Sequence, residues 1–153
     1  MKQPFISICI PTYKNVDYLQ RLLQSVIIQT FKDYEIVITD NSPDNSVEQL
    51  VKELGEQLSI RYYKNDQPTN MGENVNRALQ KDTGKWIKIM HDDDWFATAT
   101  SLQQFADAVI QNSGCDFIFS ACNNVDLAKG KIENHKLAEK KNLLLHSSFY
   151  KLF

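Results

Sequence analysis

An α/β fold, with a mainly parallel sheet and helices on both faces, is predicted by three observations on this 153-residue chain. Short apolar, β-prone runs alternate with segments whose apolar residues recur at helical spacing, the pattern of strand–helix–strand units. The length and a 42% hydrophobic content suit one domain with a real core. Polar side chains gather just after the strand-like runs, where ligands bind in open α/β sheets.

The elements follow in order. FISICIP (5–11) reads as a buried strand. In 18–30, Leu19, Leu22, Leu23, Val26 and Ile27 fall on one helical face, with Asp17 as the expected N-cap. YEIVIT (34–39) is a second strand, ended by Asp40 and the turn-forming NSPDNS. Ser46 with Gln49 matches a capping box for a helix over 47–58. IRYYK (60–64) is a third strand, and a polar loop over 65–70 follows it. A short helix is expected over 73–81, stopped by Gly84, and a fourth strand over 86–90. Leu102, Phe105, Ala106 and Val109 mark a helix over 101–112, closed by Gly114. DFIFSA (116–121) is expected as a fifth strand. After Asn124 the pattern fades, and the chain is expected to stop before its fold does. Residues 1–124 are therefore read as one half-domain and 125–153 as the incomplete start of another.

Composition narrows the function. A formal net charge of −2 gives no basic footprint for nucleic acid. Cys9, Cys115 and Cys122 form no C-x-x-C pair and are odd in number, which argues against a disulfide framework or zinc site and for a reducing compartment. The opening MKQPFISICIPTY is broken by proline, threonine and tyrosine and does not read as a signal peptide. The expected location is the cytoplasm, with a peripheral place at the inner membrane face left open. With five glycines there is no G-x-G-x-x-G and no G-x-x-x-x-G-K-[ST], so dehydrogenase and P-loop readings fall away. The absence of G-x-S-x-G removes an α/β-hydrolase serine.

What remains at the strand ends is Pro11, Thr12, Tyr13 and Lys14; Asp40, Asn41 and Ser42; Asp66, Asn70 and Gly72; and His91 with Asp92, Asp93 and Asp94. Three adjacent carboxylates repel one another, and a divalent cation offsets that repulsion. Mg²⁺ and Mn²⁺ take hard oxygen ligands, commonly one or two carboxylates with substrate phosphates and water. A solvated turn or a helix cap accounts for the same aspartates with equal economy. Tyr13 is equally readable as a core-edge aromatic, Asp40 as a cap of its turn, and Asn70 as a left-handed residue beside Gly72.

Four motifs in register bear on this choice. SICIPTYKN, QTFKDYEIVITDNSPDNS, the N-x-G of NMGENVNRALQKDTGKWIKI, and MHDDDW together resemble the nucleotide-sugar-binding half of a family 2 glycosyltransferase with the Rossmann-like GT-A fold. The likeness runs from about Phe5 to Asn124. It implies sugar transfer from a nucleoside-diphosphate sugar, a UDP-sugar foremost, to a saccharide or lipid-linked acceptor hydroxyl, with inversion and with Mn²⁺ or Mg²⁺. It places Thr12 and Tyr13 at the base, Asp40 at the base or ribose, Asn70 and Gly72 in the loop over the nucleotide, and Pro11 and Asn41 among the residues that bind the nucleotide sugar. Asp92 would face the ribose or the metal's water shell, and Asp93 and Asp94 would hold the metal. The sequence departs from the family's pattern in two places: D-N-S stands where members carry D-D-G, and His91 stands where many carry aspartate. The family's catalytic base is expected beyond Phe153, and His146 is read as a solvent or interface residue. Lys136, Lys140 and Lys141 read as a solvated face. A binding module without turnover, a homodimer formed through an uncovered apolar face, and a metal-dependent nucleotidyltransferase are the other readings; PTYKN lacks the basic glycine-rich loop the last requires.

Overall fold

The computed structural model describes residues 2–126, 129 and 131–135. Its centre is a four-stranded sheet of β1 (Ile6–Thr12), β2 (Tyr34–Asp40), β3 (Ile60–Lys64) and β4 (Trp86–Ile89), all parallel, in the order β3-β2-β1-β4. The helices are α1 (Val16–Ile27), α2 (Ser46–Leu54), α3 (Met71–Gln80) and α4 (Ser101–Gln111). The α/β class and the helices on both faces are as expected from sequence.

The two faces are unequal. Alternate residues Ile6, Ile8 and Ile10 of β1 and Ile36 and Ile38 of β2 pack against Leu19, Leu22, Leu23 and Val26 of α1, Val47 and Leu50 of α2, and Leu102 and Ala106 of α4. Among the described residues the opposite face carries only α3, whose Ala78 meets Cys9 and Val37. Because neighbouring strand residues point to opposite faces, Cys9 and Val37 lie beneath α3 while their flanking isoleucines build the main core. Gly84 is required where its loop crosses β1. A Cβ there would come within 2.6 Å of the Ser7 backbone nitrogen. Its N–H instead donates to the Ser7 hydroxyl at 2.8 Å.

Pro11 ends the β1–β4 pairing. Cys9 accepts a backbone bond from Met90, so residues two positions along β1 face the same neighbour. The missing proline N–H falls where β4 has already stopped, the kind of place a sheet tolerates proline.

Several expectations are corrected. The sheet lacks a fifth strand at 116–121; only Ile118 forms an isolated bridge there. Phe117 is half exposed, and Asp116 and Phe117 line a cavity of about 370 Å³ with Leu79, Trp86, Ile87 and Ile89 beside the β4 edge. The apolar run thus borders the sheet without forming a ladder with it. The next strand is instead β5 (Cys122–Asp126), antiparallel to β6 (Lys131–His135) in a separate pair. Asn124 therefore lies inside β5. Asp17 is in the first turn of α1, not at its cap; Asn15 holds that place, with its amide turned toward Asp92. The capping box at Ser46 does not form. The N-cap of α2 is Asn45, and Ser46 bonds back to the Asp44 carboxylate through both its hydroxyl and its N–H. Gly55 follows this helix, which ends at Leu54, four residues short of the expected 58. His146, Lys136, Lys140 and Lys141 lie outside the described residues.

Candidate functional site

The carboxyl ends of β1, β2 and β4 meet in one polar edge, and Asp92 joins two of them. Its carboxylate, nearly buried, accepts from the Thr12 hydroxyl at 2.8 Å and from the Tyr13 N–H at 3.2 Å. The Asn15 amide reaches its other oxygen at 3.5 Å. The tip of β4 is thereby fastened to the loop after β1.

The same loop is fastened to β2 on its other side. The Lys14 N–H donates to the Ser42 hydroxyl at 2.8 Å, and the Ser42 N–H donates to Asp40 at 2.7 Å. Lys14 has φ 64°, the left-handed region, although it is not glycine. Tyr13 stands out from this loop with half its surface exposed, and the Lys14 ammonium lies 4.9 Å from the centre of its ring.

Asp40 is fully buried and closed by protein partners: Ser42, the Tyr62 hydroxyl at 2.7 Å and the Lys64 ammonium at 2.8 Å. Lys64 also donates to the Asp44 carbonyl, binding the loop after β2 to β3. Burial, with the Asp40 carboxylate it faces, pushes the Tyr62 hydroxyl above its ordinary range. These contacts fit the role of a turn cap, the plainer of the two readings open for Asp40. Asn41 accepts from the Thr69 N–H at 3.0 Å and donates to the Thr69 carbonyl at 2.8 Å. It holds the 65–70 loop over the β2 end.

Asn70 is extended (φ −77°, ψ 167°), not left-handed, and caps α3 by accepting from the Glu73 N–H at 2.9 Å. Gly72 is an exposed residue of the first α3 turn, where a Cβ would meet only the Asn70 side chain at an ordinary 3.5 Å. Both border the edge without bonding to Thr12, Tyr13 or the aspartates.

Asp94 closes a turn on itself, its carboxylate accepting from the His91 N–H at 3.3 Å and its own N–H donating to the His91 carbonyl. Asp93 is exposed, and its carboxylate has no hydrogen bond or ion pair among the described residues. Among those residues no group of three or more His, Cys, Asp or Glu side chains is arranged to hold a metal. The donor set is one unengaged hard carboxylate with a second beside it. That suits an ion completed by ligand phosphates and water rather than a protein cage.

Sequence reasoning missed Asn74. This side chain, 4% exposed, donates to the carbonyls of Thr12 and Thr39 at 3.2 Å each and accepts from Asn65 at 2.9 Å. One α3 amide thus ties the last carbonyl of β1 to the next-to-last carbonyl of β2. The available signal was a polar residue beside Val75 and four before Ala78, on the face α3 buries. Asn15 and Lys64 were missed for a different reason, and Ser42 was placed at the edge without its partner: their roles are contacts between distant segments.

The fold has the GT-A architecture of its structural neighbours. The chain belongs to a particular family within it: residues 7–150 match Glycosyl transferase family 2. An uncharacterized glycosyltransferase of Methanocaldococcus jannaschii, MJ1057, is 28% identical over 97% of this chain and 56% of its own length. A crystal structure of S. aureus TarS 1-349 in complex with UDP superposes with a TM-score of 0.66 at 25% identity, over 76% of this chain and 35% of that one. The Pyrobaculum calidifontis mannosyltransferase PcManGT, in complex with GDP-Man and Mn2+, shares the fold with a TM-score of 0.62 at 19% identity, over 84% and 37%. This chain therefore spans about half, or less, of the proteins it resembles. Among the described residues no helix is long and apolar enough to cross a membrane.

Proposed function

We propose that this chain is the donor-binding part of a metal-dependent, inverting glycosyltransferase that takes a nucleoside-diphosphate sugar, a UDP-sugar foremost. The observation that carries this reading is the Asp92 clasp, which sets the acidic tip of β4 directly against the loop bearing Tyr13. The exposed Tyr13 ring offers a stacking surface for the base, while Thr12 and Asn41 shape the floor beneath it. Asp40 acts by fixing the turn, since its oxygens are already engaged. Asp93, with Asp94 beside it, would hold Mn²⁺ or Mg²⁺, and such an ion supplies charge stabilisation for the departing diphosphate. A UDP complex and a Mn2+ complex among the structural neighbours support this choice of donor and ion. A saccharide or lipid-linked acceptor, and the base that deprotonates its hydroxyl, belong to the length of the relatives that this chain does not span. A cytoplasmic location, peripheral to the membrane, suits such an acceptor.

The test is calorimetric titration of UDP and several UDP-sugars into the full chain, with and without Mn²⁺, beside Asp93→Asn. Binding strengthened at least tenfold by Mn²⁺, and lost to that extent in Asp93→Asn, is the expected result. UDP binding indifferent to both metal and substitution would remove the metal role. The alternative is donor binding by this stretch of chain without turnover. Mn²⁺-dependent binding without release of free sugar from UDP-sugar selects it.

A further inference from the structure

Lys14 holds a backbone conformation that side-chain-bearing residues avoid, because Cβ crowds the following carbonyl. The structure enforces it from both sides. Asp92 grips the preceding Tyr13 N–H, and Ser42 grips the Lys14 N–H. The Lys14 carbonyl then accepts from the Val16 N–H at 2.9 Å, closing the turn into α1. Glycine would occupy this position without strain. An over-determined strained residue with an exposed, chemically capable side chain points to use by a ligand.

The ammonium lies beside the Tyr13 ring, 4.9 Å from its centre. Lys14 forms no ion pair with Asp92, Asp93 or Asp94 among the described residues, although those carboxylates border the same loop. Its backbone anchor is on the β2 side, and there it also adds to the positive field on Asp44. That carboxyl is held below its usual range chiefly by bonds from Ser46, with Lys64 and Lys14 contributing. The Lys14 charge is therefore set beside the ring proposed to carry the base.

We propose that Lys14 is a donor-specificity residue, its ammonium donating to a ring carbonyl oxygen of an oxo base, uracil or guanine, that stacks on Tyr13. This rests on the donor-site reading above and deepens it. Adenine carries an amino donor where guanine carries a carbonyl, so an ammonium aimed at that position meets a donor instead of an acceptor.

The experiment is calorimetric titration of UDP and ADP into the full chain without metal, for the parent and for Lys14→Met, Lys14→Arg and Lys14→Gly, with melting temperatures measured alongside. The parent should bind UDP more tightly than ADP. Lys14→Met should weaken UDP about tenfold and leave ADP unchanged, and Lys14→Arg should retain most of the UDP affinity. Lys14→Gly should lose UDP affinity as Lys14→Met does, yet melt about 2–4 °C higher because the strain is gone. Unchanged UDP binding in Lys14→Met overturns the proposal and leaves the donor site standing. Equal losses for UDP and ADP overturn it too, assigning the lysine to the diphosphate. A parent chain that binds neither nucleotide overturns the donor-site reading and this proposal with it.

Discussion

The Thr12 hydroxyl donates to the Asp92 carboxylate at 2.8 Å across 80 residues of sequence, in a buried position. One oxygen of Asp92 serves both this hydroxyl and the Tyr13 N–H, so the carboxylate positions the loop while Asp93 beside it stays exposed. A functional edge assembled this way depends on a structural bond inside it. Asp92→Ala should therefore lower stability by about 2–3 kcal/mol, the scale of hydrogen bonds to a charged acceptor, and weaken UDP binding as the loop loosens. Thr12→Val should cost less, and the double variant should show a coupling of at least about 0.5 kcal/mol in urea denaturation. Additive losses would mean that the two side chains do not act on each other.

Asp40 and Lys64 form the second fixed point. Removing one partner of a buried pair leaves an uncompensated charge, which costs more than the pair contributes. Lys64→Met should destabilise by about 3 kcal/mol, because Asp40 is fully enclosed. Lys64 itself is partly exposed, which puts the effect at the low end of that range. Adding Asp40→Asn to Lys64→Met should recover part of the loss in equilibrium unfolding. A double variant less stable than Lys64→Met alone would refute the unpaired-charge account.

The sheet and its four helices were legible because hydrophobic periodicity is local. Leu19, Leu22, Leu23 and Val26 announce α1, and the isoleucines of 6–10 and 36–38 announce β1 and β2. The failures have physical causes. The run 116–121 has the composition of a strand, but composition does not supply a neighbour to pair with. Ser46 has the spacing of a capping box, yet the Asp44 carboxylate two residues earlier captures both its hydroxyl and its N–H. Asp40 was legible at the site edge and, in one of its two readings, as a cap of its turn, but its partners across the sheet were not. Its partners Tyr62 and Lys64 arrive from β3, and register between parallel strands is not written in either strand alone. Asn74 was hidden by the same kind of distance.

Glu35 should govern stability in acid. Burial pushes its carboxyl up, but bonds from Ser7, Arg61 and Thr83 outweigh this and hold it below the ordinary range. A carboxyl lowered in the folded state releases its proton more readily there than in the unfolded chain. Its contribution is therefore complete above the unfolded value and is lost as pH falls through the folded one. Stability of the parent should drop from about pH 5 downward, and Glu35→Gln should start lower and lose less over the same interval. Parallel curves for the two proteins would exclude Glu35 as a source of the acid sensitivity.

Cys9 offers the opposite sign, at alkaline pH. Burial beneath α3, reinforced by the negative charges of Asp82 and Glu35, pushes its thiol from 9.0 up to about 12. The unfolded chain would ionise this thiol first, so between those two values it binds fewer protons than the folded chain, and stability must fall as pH rises. Cys9→Ala should remove that part of the alkaline loss, at the cost of about 1 kcal/mol at neutral pH from the smaller side chain. A thiol reagent at pH 8 gives an independent readout. The exposed Cys122 and half-buried Cys115 should react within the dead time of opening, while Cys9 should react only at the rate of unfolding. Modification of all three thiols at one fast rate in the folded protein would show that the face under α3 is open to solvent, and would overturn the placement of α3 that aims Asn74 at the carbonyls of Thr12 and Thr39.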